Sequence, residues 1–63
     1  MTSGLDLKAQ RKRALVRTQE LADRMGIGRT RIPQIEALAA VSEEMVSRYL
    51  AALVDVASER RQP

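Results

Sequence analysis

Apolar positions recur along the chain at three- and four-residue intervals, and this spacing predicts helices. From Asp6 to about Val16 neither Gly nor Pro interrupts, and Leu5, Leu7, Gln10, Ala14 and Leu15 make a rough inward stripe opposite Lys8, Arg11, Lys12 and Arg13. A second helix is expected over "QELADRM", with Thr18 as N-cap and Leu21, Ala22 and Met25 turned inward. Gly26 follows where a left-handed C-terminal cap favours glycine, and Ile27 then closes the turn. The strongest pattern comes last. Ser42 reads as an N-cap with Glu43 and Glu44 in the first turn, and Met45, Val46, Tyr49, Leu50, Leu53, Val54 and Ala57 repeat at helical spacing over about 43–58.

Between these lies "MGIGRTRIPQIE", residues 25–36, which reads as a turn leading into a short basic helix. With Gly28 as N-cap, Pro33 would be the fifth helical residue, where a proline costs about 3 kcal/mol. Two outcomes follow: a loosened, 3₁₀-like first turn, or a helix that begins at Pro33, where proline suits the first position. Ile35, Leu38, Ala39, Ser42, Met45, Val46 and Tyr49 also join into one stripe, and no Gly or Pro lies between Gln34 and Gln62. The expected fold is all-α, a small helix-turn-helix bundle of about four helices. The alternative is three helices with a long C-terminal helix from Pro33. Residues 1–63 form one domain, with 1–4 and 59–63 expected to be flexible ends.

Composition narrows the chemistry. Tyr49 is the only aromatic residue and there is no Cys, so aliphatic side chains must build the core without disulfide support. A domain of this size buries only about 60% of its unfolded surface. Oligomerisation is the usual remedy, so a homodimer is expected. With no His and no Cys, the commonest general base, the thiolate nucleophile and most zinc ligands are missing, and no glycine-rich phosphate loop is present. Glu43 and Glu44 are adjacent, but helix neighbours point about 100° apart, so they read as a charged first turn. The expectation is therefore no enzyme, no metal and no cofactor. The N-terminus lacks an apolar signal region and no apolar run is long enough to span a membrane, which fits a soluble cytoplasmic protein.

Charge is segregated. Residues 1–36 carry eight basic residues against four acidic ones, a balance of +4. Residues 37–63 carry three against four, a balance of −1. The first half suits a polyanionic partner, and the second is near neutral and apolar.

Within "LADRMGIGRTRIPQIE", Leu21 and Ala22 face inward, Gly26 turns the chain, and Ile27, Ile32 and Ile35 bury the following helix. This stretch resembles the helix-turn-helix of the lambda-repressor-like (xenobiotic-response-element type) family. Leu21, Ala22, Gly26, Ile27, Gly28, Ile32, Ile35 and Glu36 stand in register with that pattern, and Arg11 falls where the family often carries an arginine on its first helix. Similarity covers about residues 8–36, and "VSEEMVSRYLAAL" is more loosely similar to the last helices of antitoxins in the family. The departures are Gly28 where Ser or Thr usually caps, Thr18-Gln19 one residue late with Arg17 in the capping position, a shorter helical tail, and Pro33.

The resemblance implies a sequence-specific regulator of transcription that binds double-stranded DNA as a dimer through the major groove, and a repressor in particular. Arg29, Thr30, Arg31 and Gln34 are the candidates for base contact, since Arg pairs bidentately with guanine and Gln with adenine. The competing role for Arg29 and Arg31 is phosphate contact alone. Arg11, Lys12, Arg13, Arg17, Thr18 and Gln19 are the candidate backbone contacts. Glu36 reads as a structural ion-pair partner. Tyr49, Leu53 and Val56 are the candidate dimer interface. The rival reading is a protein-interaction module, such as an antitoxin or regulatory subunit, whose C-terminal helix meets a toxin or other partner. An RNA-binding role is disfavoured by the lack of aromatics to stack unpaired bases.

Overall fold

Ser3 opens the first helix. Its Oγ accepts the Asp6 N–H at 3.2 Å, an N-cap that starts α1 (Gly4–Arg13) two residues before the expected Asp6. The computed structural model describes residues 1–61, and further along the chain it contains α2 (Thr18–Met25), α3 (Arg31–Glu36) and α4 (Glu43–Arg61). The all-α expectation holds. None of the helices among the described residues is long and apolar enough to cross a membrane.

The chain start is not loose. The Gly4 N–H donates to the Leu38 carbonyl and the Val41 N–H to the Thr2 carbonyl, both at 2.8 Å, and Thr2 and Val41 form a single antiparallel bridge. Gly4 lies so close to α3 that a Cβ there would fall 2.4 Å from the Ile35 carbonyl oxygen. Glycine is required at this position by close approach between two backbones. The partners lie more than thirty residues away in sequence, so local patterning contains no trace of them.

The same contacts explain why α3 and α4 do not fuse. Ala37 caps α3, and residues 38–41 leave the helical path to bond with the N-terminal segment, burying Val41. Ser42 Oγ then accepts the Met45 N–H at 3.2 Å and restarts the helix, as its sequence position suggested. Helix α4 runs to Arg61, three residues beyond the expected end, while the remainder of the tail, Gln62 and Pro63, lies outside the described residues.

The inward face of α1 is narrower than its pattern implied. Leu7 is fully buried, but Leu5 is 70% exposed and Leu15 77% exposed. The helix stops at Arg13, not Val16, and Leu15 takes a left-handed conformation (φ 58°) that turns its side chain outward. Arg17, not Thr18, is the N-cap of α2. Its N–H is held by the Glu20 carboxylate at 3.0 Å, so the acid three residues on does the capping. Gly26 adopts φ 73° at the end of α2, the conformation its position predicted.

Helix α4 packs chiefly on α2 and also on α1. Its Tyr49, Ala52, Leu53 and Val56 join Leu7, Val16, Leu21, Ala22, Ile32, Ile35 and Val41 in one core. Tyr49, Leu53 and Val56 are at most 6% exposed, which corrects their assignment to a dimer interface. In a domain this small, the chain's own core takes up the aliphatic stripe that periodicity alone makes available.

Pro33 falls in the first turn of α3. The Arg31 N–H bonds to the Gly28 carbonyl (3.0 Å) and the Ile32 N–H to the Arg29 carbonyl (3.2 Å), both i→i+3 bonds of a 3₁₀-like entry. Thr30, not Gly28, stands at the N-cap position, with helical dihedrals and no side-chain cap. The Arg29 carbonyl is thus satisfied from position 32. First-turn N–H groups have no intrahelical partner in any case, so the proline breaks no ladder bond. Pro33→Ser should therefore change stability by about 1 kcal/mol or less, and toward destabilisation, since it frees the unfolded chain. Denaturant melts check this, and a gain approaching ~3 kcal/mol would contradict the first-turn placement.

Candidate nucleic-acid interface

Six residues of helix cannot hold themselves in water, so something must fix α3. Ile32 and Ile35 bury its inward side, and its C-terminal Glu36 anchors it to α1 and α4 through a buried polar cluster. Arg11 Nε and Nη2 donate to the two Glu36 carboxylate oxygens at 2.8 and 3.3 Å, a bidentate pair. Arg11 Nη1 donates to the Val16 carbonyl at 3.0 Å, tying down the loop after α1. From α4, the Tyr49 hydroxyl donates to Glu36 Oε2 at 2.5 Å, with the Leu7 carbonyl at 3.2 Å as a second, weaker acceptor. Among the described residues, no buried side-chain polar atom lacks a partner.

The cluster shifts Arg11 and Tyr49 in the directions its geometry requires. Hydrogen bonding to Glu36 raises the Arg11 guanidinium above its usual value, the charge of Glu36 adding to it. Burial pushes the Tyr49 phenol well up, and the hydrogen bond and negative charge of Glu36 push it further. Arg11 is 9% exposed with its donors committed inside the fold, which corrects its assignment as a phosphate contact. Glu36 takes the structural ion-pair role expected of it. Sequence reasoning missed Tyr49 as the third member. Its being the only aromatic in the chain was the available signal, because a buried phenol needs a polar partner.

The outward side of α3 and its entry turn are open. Arg29, Thr30, Arg31, Pro33 and Gln34 are all exposed, so the structure brings the four base-contact candidates together on one short segment. Lys12 and Arg13 at the end of α1, and Arg17 before α2, are also exposed. Thr18 is half-buried as the first residue of α2. Gln19 is exposed but donates from Nε2 to Asp23 Oδ1 at 2.7 Å, so its amide is already engaged.

Ion pairing sorts the cations. Arg24 contacts Asp55 (3.9 Å) and Glu59 (2.5 Å), and Arg60 contacts Glu20 and the Leu15 carbonyl, so these pairs join α4 to α2 and to the α1–α2 loop. The bond to Glu59 chiefly raises Arg24, while Glu20 is held below its usual range by the Arg17 N–H first and by Arg60 second. Among the described residues, Lys8, Lys12, Arg13, Arg17, Arg29, Arg31 and Arg48 take part in no ion pair. Six of these seven lie on α1, at the start of α2, or on the α3 entry. Lys8 belongs to this set, although the sequence reading gave it no contact.

Set against family models, characterised proteins and solved structures, the chain matches none of them.

The chain contains one tyrosine and no tryptophan, so phenolate absorbance reports Tyr49 alone. In the folded protein this absorbance should appear well above the ordinary value of 10.0, and in denaturant close to it. The sign follows from linkage. A phenol raised in the native state contributes stability below pH ~10 that is lost as pH rises toward the folded value. A native midpoint at the ordinary value would contradict the buried hydrogen bond to Glu36.

Proposed function

We propose that this protein is a sequence-specific double-stranded DNA-binding regulator of transcription, a repressor that inserts the outward face of α3 and its entry turn into the major groove. One observation carries the reading. The acidic partners in the fold neutralise Arg11, Arg24 and Arg60, while among the described residues the cations left without ion pairs concentrate on α1, the start of α2 and the α3 entry. A surface with such a bias attracts a polyanion, and a helix anchored on its inner side offers its outer side to base edges.

Arg29 and Arg31 are assigned to guanine edges, Gln34 to adenine, and Thr30 to either base or phosphate. Lys12, Arg13 and Arg17 take phosphates, helped by the first turn of α2. A homodimer would place two such faces about one DNA turn apart. Because Tyr49, Leu53 and Val56 lie in the core, the pairing surface on α4 would be its outer side, where Val54 is 62% exposed. The protein-interaction reading loses support for the same reason, since the core occupies most of the apolar face it relied on.

Binding to duplex DNA over a salt series, followed by selection of bound sequences from a random library, tests the proposal. The wild-type chain should bind random duplex at low salt with a steep negative slope of log affinity against log salt. Arg29→Ala and Arg31→Ala should each reduce discrimination between selected and random duplex by roughly 5- to 150-fold, corresponding to about 1–3 kcal/mol per bidentate contact. No binding at low salt would end the proposal, and unchanged discrimination in both variants would remove the groove-reading role.

A further inference from the structure

We propose that the shallow groove between α1 and α3 seats the sugar-phosphate backbone of one DNA strand, with Lys8 as its phosphate-binding group. This inference rests on the DNA-binding reading and extends its contact surface to the groove beside Leu5 and Lys8, two residues given no role so far. Leu5, Lys8, Pro33, Glu36 and Ala37 line the groove. Leu5 and Lys8 lie one turn apart on α1, and Pro33 in the first turn of α3 lies one turn before Ala37, its C-cap; all four are exposed.

The charge of this groove is simpler than its composition. Glu36 is its only acid, but that carboxylate is 5% exposed and bound by Arg11 and Tyr49, so Arg11 neutralises it from within. Lys8 forms no ion pair among the described residues, which leaves the groove with one uncompensated cation above apolar walls. Lys12, also exposed and four residues further along α1, continues the cationic edge.

This combination fits a sugar-phosphate strand. A flexible ammonium meets phosphate as a point charge without demanding a fixed geometry. Leu5, Pro33 and Ala37 present hydrocarbon, which suits the nonpolar face of a deoxyribose, and Pro33 adds no N–H that would need a partner. Continuity assigns the occupant. Pro33 and Ala37 sit on the same segment as Arg29, Arg31 and Gln34, so a duplex held against that segment has a strand passing the α1 flank. Lys8 then fixes register and orientation without reading bases.

The test uses the full chain and random duplex DNA of fixed length, with affinity measured by fluorescence anisotropy from low to moderate salt. Lys8→Gln should make the slope of log affinity against log salt shallower by about one and leave sequence preference unchanged. Lys8→Arg should restore the slope, and Arg48→Gln, on α4, should leave it at the wild-type value. Leu5→Ala should weaken binding by a similar factor at every salt concentration without changing the slope, as the loss of an apolar contact requires. If the wild-type chain binds and Lys8→Gln keeps the wild-type slope, the groove proposal is overturned while the α3 reading stands. If the wild-type chain fails to bind at low salt, both fall. If Leu5→Ala changes self-association and not DNA affinity, the groove holds protein and the proposal is overturned.

Discussion

Everything on the candidate surface depends on the buried meeting of Arg11, Glu36 and Tyr49. Three helices contribute one side chain each, and the carboxylate that ends α3 is the shared acceptor. Burying an ion pair is not by itself a source of stability, because the desolvation of both charges offsets their attraction. Its effect is on placement. Once Glu36 is inside, leaving it without Arg11 costs about 3–5 kcal/mol, so arrangements that swing α3 away from α1 are strongly disfavoured. A six-residue helix entered through a 3₁₀-like turn is thereby held in one position, which any surface that reads shape or sequence requires.

The same constraint decides what is free. Arg11 is the one basic residue of the α1 cluster turned inward, and its neighbours Lys8, Lys12 and Arg13 keep their charges outside. Arg24 and Arg60, by contrast, are paired with acids of α4 and α2. A net charge of +3 therefore understates the local bias of the α1–α3 side. This segregation, more than total charge, is what supports the proposal of a polyanionic partner.

What the sequence made legible was local. Helices α2 and α4, the glycine turn at Gly26 and the Ser42 cap follow from three- and four-residue periodicity and from capping chemistry, both of which act within one or two turns. What stayed hidden was long-range. Thr2 and Gly4 read as part of a frayed end because their partners, Val41 and Leu38, are remote in sequence. That bridge also breaks the stripe that joined α3 to α4. Tyr49, Leu53 and Val56 were misassigned because periodicity shows which face of a helix is apolar but not whether its own chain covers it. Pro33 looked costly because the register counted from Gly28, whereas the regular helix starts later and the proline lies where no bond is lost. On the candidate site, the exposure of Arg29, Thr30, Arg31 and Gln34 agreed with their positions in the pattern, and the inward turn of Arg11 did not.

In the proposed function, an internally anchored α3, flanked by α1, forms a DNA-binding face. Titrating isotope-labelled protein with duplex DNA at low salt, and following backbone amide resonances, tests it most directly. Shifts should concentrate on residues 8–13, 17–19 and 29–34 and spare the outward side of α4 from Glu44 to Ser58. Shifts confined to α4, with the α3 entry turn unmoved, would contradict it.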